Sequence, residues 1–419
     1  MARRDTSTGG RPATEAVVPG IAALSIGRPT TLPEPEGFTW TPLSELARLE
    51  SGHTPSRSHP EYWNGDIPWI GIRDATANHG NRVCDTEQHV TQAGIDNSSA
   101  RVLPPETVCL SRTASVGYVV QMGRPMATSQ DFVNWVCGPS LDPTFLRYLL
   151  MAEAESVRRF AYGSVHATMY YPDAKALHIL APSLREQQAI AEVLGALDDK
   201  IAANQTLAAA ADSYATALLF RALGPERQAL GSLASITMGS SPKGETLNEN
   251  GDGVPFFQGV RDFGFRSPTR RVFTTGPVRS AAAGDILVSV RAPVGDVNIA
   301  GESLCIGRGL AAVTSSSGRQ ATLFHMLKAE RDAWEPFEAE GTVFGSINRD
   351  QLHGIRLRTV EPSIADRVEA DLRVLEESIA AALEENQSLA ATRDALLPQL
   401  MSGKLRVRDA EKIAADAGA

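Results

Sequence analysis

Cysteine is scarce in this 419-residue chain, and Cys84, Cys109, Cys137 and Cys305 form no C-x-x-C pair. That argues against a disulfide scaffold and against structural zinc, and makes a reducing cytoplasm the expected setting. No apolar run is long enough to cross a bilayer, and Arg3-Arg4 is not followed by the apolar region that a secretion signal needs. Positive charge is in deficit: 40 Lys and Arg against 49 Asp and Glu leave a net charge of −9, which weighs against a general nucleic-acid glue. Net charge does not report where charges sit, however. Glu369, Asp371, Glu376, Glu377, Glu384 and Glu385 crowd one segment, so loops elsewhere remain free to be basic. The motifs of a self-sufficient enzyme are missing as well. There is no G-x-x-x-x-G-K-[ST] loop, no H-E-x-x-H and no glycine fingerprint opening a βαβ unit. Nor is there an Asn/Asp-Pro-Pro-aromatic motif of the kind with which amino-methyltransferases grip a flipped base. No catalytic residue, metal site or cofactor is expected on this chain.

What the chain does have is a repeat. In SLREQQAIAEVLGALDDKI and the residues after it, Ile190, Leu194, Leu197, Ile201, Asn204, Ala208, Ala211, Ala215 and Leu218 alternate steps of four and three. This spacing keeps one stripe of a helix against a partner helix. Adding 178 gives Val368, Leu372, Leu375, Ile379, Ala382, Asn386, Leu389, Arg393 and Leu396, the same stripe on a second helix. The chain carries its own partner. The offset extends outside the helices, since 295 − 117, 289 − 111 and 341 − 163 all equal 178 for Gly117/Gly295, Ser111/Ser289 and Gly163/Gly341. Upstream it becomes 187, matching Leu43, Leu46, Gly52, Pro55 and Pro68 to Leu230, Leu233, Gly239, Pro242 and Pro255. Two copies of a globular unit, each followed by a long helix, explain the pattern.

In chain order, residues 1–37 are rich in Pro, Gly, Thr and Ser without apolar periodicity and are expected to be a disordered leader. Leu43, Leu46 and Leu49 fit a short helix ended by Gly52 and Pro55, and 67–72 fits a strand. Strands at 108–110 and 116–120 flank a polar turn, as do 286–290 and 294–299 in the second copy. Helical stretches follow near 145–160 and 322–338, then the glycine loops AYGSVHATMYYPD and EGTVFGSINRD. The expected fold is mixed α/β: domains at 38–183 and 224–362, long helices at 184–223 and 363–406, and a tail at 407–419.

Several of these stretches, taken together, resemble the specificity subunits of type I restriction-modification systems. They are IPWIGIRD, SRTASVG with SVRAPVGD, ATSQDFVNW, PSLREQQAIAEVLGALDDKI and RDALLPQLMSGKLRV, in that order, and the resemblance covers nearly all of 38–405. The second helix start, PSIADRVEADLRVLEESI, departs from the pattern by lacking the glutamine pair found at Gln187 and Gln188, which leaves open whether the two helix starts meet a partner identically. The resemblance implies two tandem target recognition domains joined by two long antiparallel coiled-coil helices. It implies a non-catalytic chain that binds double-stranded DNA and docks methyltransferase subunits, two of them, together with ATP-dependent restriction and translocation subunits. S-adenosylmethionine, ATP and Mg would belong to those partners, and no membrane is involved. Along the seam, 218 − 190 = 28 residue steps span roughly 42 Å at about 1.5 Å each, on the order of twelve base pairs of unread gap between two half-targets. The alternatives are a protein-interaction scaffold, favoured by the acidic net charge, and an autonomous enzyme, which the missing motifs oppose.

Phosphate contacts need Lys, Arg and hydroxyl donors, and base readout needs bidentate Arg, Asn or Gln on a rigid loop. The candidates are Arg73, Arg112, Thr113, Ser115, Gln130, Tyr162, Ser164, His166 and Thr168 in the first copy. In the second they are Lys243, Arg261, Arg266, Arg270, Arg271, Arg291, Arg308, Ser346 and Asn348, with Arg266, Arg270 and Arg271 as a phosphate patch. Each, taken alone, also fits a solvated or salt-bridged loop residue. Ser111, Gly117, Ser289 and Gly295 read as architectural turns. Gly163 and Gly341 fit either a tight turn or a close approach to phosphate. Asn204 and Asn386, polar within an apolar stripe, fit a role in helix register.

Overall fold

A computed structural model describes residues 11–163, 167–338 and 345–419. The chain forms two compact units, one made of Met1–Ala202 with Glu385–Ala419 and the other of Ala203–Glu384.

In the first unit the central sheet runs in the order Ala47–Ser51, Phe132–Cys137, Val108–Ser111, Val119–Met122, Arg82–Val83. All pairings are antiparallel except the last. Val108, Cys109 and Leu110 are all fully buried because the sheet is covered on both faces. With side chains alternating at period two, Val108 and Leu110 enter the main core while Cys109 enters a smaller one with Ile70, Val120 and Met122. The second unit repeats this arrangement. Leu310–Ser315 lies between Ala234–Met238 and Ile286–Ser289, with Ile286 and Val288 in one core and Leu287 in another. Two matched glycines are needed for this packing. A Cβ on Gly52 would lie 1.9 Å from the Ser129 carbonyl oxygen, and one on Gly239 would lie 2.1 Å from that of Gly307. The fold is mixed α/β, as expected.

The long helices are Leu184–Ala222 and Ala365–Met401. The second stops short of 406 because Gly403 takes a left-handed φ of 67°, and the amide groups of Lys404 and Leu405 donate back to the Gln399 carbonyl. In the first unit the helices pair antiparallel, with Asp198 bonded to Arg393 and the Ile201 carbonyl to Asn386. Ile190, Leu194 and Leu197 share its core with Leu389, Leu396 and Leu400. Among the described residues no helix is long and apolar enough to cross a membrane.

Three expectations are corrected. Residues 11–37 are not a disordered leader: Leu24–Ile26 inserts between Val18–Pro19 and Leu177–Pro182 in a four-stranded sheet, and Leu24 and Ile26 are fully buried. The buried Glu153 carboxylate anchors this segment by accepting from the amide groups of Ile21, Ala22 and Ala23. The tail also has structure, for Val407–Asp416 is a helix whose Val407, Ala410 and Ala414 join the first core. Leu49 lies in a strand, because the preceding helix is one turn, Leu43–Leu46. Glu153→Ala strands three amide groups, so it should lower the unfolding free energy by about 3 kcal/mol. Limited proteolysis of the variant should then cut within 11–37, and protection equal to the parent would refute the anchor.

Candidate nucleic-acid interface

The polar turns of the two units share one hydrogen-bond scheme. Ser111 Oγ donates to the Ser115 carbonyl and accepts from the Tyr118 amide. Ser289 Oγ does the same with Pro293 and Asp296. Gly117 and Gly295 have φ of 92° and 85°, and each donates its amide to the carbonyl of its serine at 3.0 Å. These four residues are architectural. The turns present Thr113 and Arg291, which bridge in β fashion to Thr168 and Ser346, positions again 178 apart.

In the second unit Arg291, Arg308, Ser346 and Asn348 line one groove of about 450 Å³ with Met238 and Gln351. Arg291 and Arg308 are exposed, and neither has a carboxylate partner among the described residues. Asn348 has a structural task, since its side chain accepts from the Gln351 amide and caps the helix Arg349–Gly354. Lys243 is exposed beside Glu245, and Arg261 is exposed on the short turn Val260–Asp262.

The expected patch of Arg266, Arg270 and Arg271 does not exist as a free cationic surface. Arg270 bonds Glu302, and Arg271 bonds Asp262, which together with its charge holds the guanidinium above its ordinary range. Arg266 is buried, 2.7 Å from Asp212 and 2.5 Å from Glu376, with its guanidinium 4.7 Å from the Phe324 ring centroid. It cannot reach a phosphate without breaking both ion pairs.

In the first unit Thr113, Ser115, Thr168 and Tyr162 come together around the bridges Thr113–Thr168 and Tyr162–Thr168. Exposed Gln130 accepts from the Thr54 hydroxyl. Arg112 packs over the Tyr171 ring at 4.6 Å and donates to the Met169 carbonyl, with its Nε buried and unpartnered among the described residues. That places it under the loop more than on it. Arg73 is exposed and paired with Glu87, away from this group in the hydrogen-bond scheme. Ser164, His166 and Gly341 lie outside the described residues, while Gly163 has φ 125°. Among the described residues no group of acids, histidines or cysteines could hold a metal.

The helix seam is largely as read. Ile190, Leu194, Leu197, Asn204, Ala208, Ala215, Val368, Leu372, Ile379, Ala382, Leu389 and Leu396 are buried, and Ile201, Leu375 and Asn386 are half-buried. Toward the end of the first helix the stripe slides by one residue, so that Leu219 and Asp212 are buried where Leu218 and Ala211 were expected. A straight helix drifts from a seven-residue repeat in this way. Asn386 donates to the Ile201 carbonyl at 3.3 Å, with its Oδ1 buried and unpartnered among the described residues.

The residues that tie each domain to its helix segments were not anticipated. In the first unit Asp198 accepts from the Tyr148 hydroxyl at 2.5 Å and from Arg393 at 2.7 Å; burial pushes the Tyr148 phenol well up, so it remains a donor. In the second unit Glu376, 178 positions on, accepts from Arg266 and from fully buried His325 at 2.8 Å, while Asp212 takes Arg266 and Lys328. Burial alone would raise the pKa of Glu376 and Asp212. The hydrogen bonds and charges of their cationic partners override it and hold both below the usual carboxylate range. An acid at the same repeat position in both helices was the available signal. Gln187 is the other omission: its buried amide accepts from the Asp142 amide and donates to the Ser140 and Pro182 carbonyls. The matching position is Ala365, which lines a cavity of about 360 Å³.

Because the folded pKa values of Asp212 and Glu376 are depressed, their contribution is present above the unfolded carboxylate range and is lost as pH falls through the folded values. Unfolding temperature should therefore drop as pH goes below about 4. Arg266→Ala leaves both acids buried without it and should cost about 3–5 kcal/mol at neutral pH, moving the acid limb to higher pH. Chemical unfolding across pH tests this, and an unshifted limb would refute the clamp.

A family model described as the type I restriction modification DNA specificity domain matches residues 35–211. A Methanocaldococcus jannaschii protein whose name assigns it to the type I restriction enzyme MjaX as specificity subunit is 28% identical over 295 residues, covering 64% of this chain and 69% of that one. The MjaIX specificity subunit of the same organism is 30% identical over 169 residues, 40% of this chain and 39% of its own length. Among solved structures, a type I restriction-modification S subunit from M. genitalium shares the fold. Its TM-score is 0.55 at 18% identity, over 88% of this chain and 98% of that one. With the duplicated sheets, turns and long helices described above, these matches place the chain in the family of type I restriction-modification specificity subunits.

Proposed function

We propose that this chain is the DNA sequence-recognition subunit of a type I restriction-modification complex, each unit reading one half of a split target. The observation that carries this is one backbone frame bearing different side chains. Thr113, Gln130 and Thr168 occupy the positions of Arg291, Arg308 and Ser346, on turns with matching hydrogen bonds. Duplicated frames with divergent polar tips suit two readers of unlike sequence, as base discrimination depends on the donors and acceptors at those tips. The exposed faces of the long helices would dock two methyltransferase subunits. S-adenosylmethionine would be bound there, and ATP and Mg on a restriction subunit, so that this chain supplies recognition and no chemistry.

Long-read methylomes of cells with and without the gene test the reading. Deletion should erase adenine methylation at one split, gapped motif, and an unchanged methylome in cells that express both this chain and an active methyltransferase would sink the proposal. In vitro, the assembled complex should lose duplex affinity steeply with salt, log K falling by about 0.9 per phosphate neutralised for every unit of log salt. A complex with no salt-dependent duplex binding would instead favour the interaction scaffold.

A further inference from the structure

One arginine outside the sequence-derived set is held in an unusual way. Arg57 lies in the first unit on the loop between Ala47–Ser51 and the turn Pro60–Tyr62. Its guanidinium carbon sits 3.7 Å from the Trp63 ring centroid and 5.4 Å from that of Trp69. The two indoles meet edge to face at 5.2 Å. Both are fastened to the same loop, Trp63 donating to the Ser56 carbonyl and Trp69 to the His53 carbonyl. Trp69 is only 5% exposed, so the platform under Arg57 is anchored in the domain.

Stacking fixes the guanidinium plane without occupying its donors. Of its five N–H groups, the structure gives one a partner, the Gln88 amide oxygen at 2.8 Å from Nη2. Gln88 is neutral and leaves the charge uncompensated, whereas Arg48 and Arg101 pair with Glu50, Arg73 with Glu87 and Arg82 with Glu106. Arg57 has no carboxylate partner among the described residues, and its side chain is exposed. The same loop carries Thr54, whose hydroxyl donates to Gln130, the counterpart of Arg308 in the groove of the second unit. The position matching Arg57, by the upstream offset of 187, is Gly244, so this device belongs to the first unit alone.

We propose that Arg57 is a guanine-reading side chain of the first unit, its free N–H edge donating to O6 and N7 of one guanine in the major groove. The assignment rests on the DNA-recognition reading above. A preset plane suits two parallel hydrogen bonds to a base edge, which a lysine cannot make; a phosphate contact would need only the charge.

The test is the methylome of cells in which the gene is replaced by Arg57→Ala or Arg57→Lys, with the methyltransferase partner present and abundance of the chain checked. Both variants should relax one G·C position in one half of the motif, with discrimination there falling at least about tenfold and the other half still required. The assignment is overturned by an unaltered motif in Arg57→Ala. Full retention of the motif by Arg57→Lys, with general loss in Arg57→Ala, overturns it as well, since that marks a phosphate contact or a structural role. A motif changed in both halves, or lost in both variants at normal abundance, also counts against it. If deleting the gene leaves methylation unchanged, the recognition reading itself fails. If deletion erases methylation and Arg57→Ala does not alter the motif, only Arg57 is misassigned.

Discussion

Carboxylates buried against the long helices are the constraint on which each unit's geometry depends. A charge removed from water is tolerated only when its partners are placed well, and a partner lost is costly. In the first unit Asp198 meets Tyr148 and Arg393, and in the second Glu376 and Asp212 meet His325, Arg266 and Lys328. Apolar contacts such as Leu194 against Leu396 in one core are comparatively non-directional. These directional pairs fix how each sheet and its loops sit on their own helix segments. The turns at Ser111 and Ser289 inherit their placement from that arrangement.

Much of this was legible because duplication writes the same constraint twice. The offset of 178 picked out Ser111 and Ser289 before any hydrogen bond was known, and the four-three spacing located the helices and most of the seam. What was missed depends on contacts between residues far apart in sequence. Composition made 11–37 look unstructured, yet one carboxylate 130 positions away from Ala23 orders it. Arg266, adjacent in sequence to exposed arginines, is buried because acids on both long helices close over it. A local reading of charge sees the arginine and not the acids. Arg57 escaped for the same reason, as its platform is made by Trp63 and Trp69 acting together.

The two copies are also informative where they differ. Gln187 fills one helix start with three hydrogen bonds, while Ala365 leaves a cavity lined by Ser315, Ser316, Ser317 and Thr322 at the other. Near it, Glu369 accepts from the amide groups of Ala321 and Thr322, a different solution to the same unsatisfied helix end. The sheet frame is conserved between copies more closely than the polar fittings around it. Frame and fittings have therefore been free to vary separately.

The makeup of the units has a consequence for biosynthesis. The second unit is a single stretch of chain, Ala203–Glu384, whereas the first is assembled from Met1–Ala202 and Glu385–Ala419. Leu389, Leu396, Leu400, Val407 and Ala414 belong to the first unit's core, yet they leave the ribosome after the whole of the second unit. The unit translated first is thus the one completed last, and until then Ile190, Leu194 and Leu197 present a bare apolar stripe. A nascent chain in that state depends on chaperones or on prompt synthesis of its remaining residues to avoid association through that stripe.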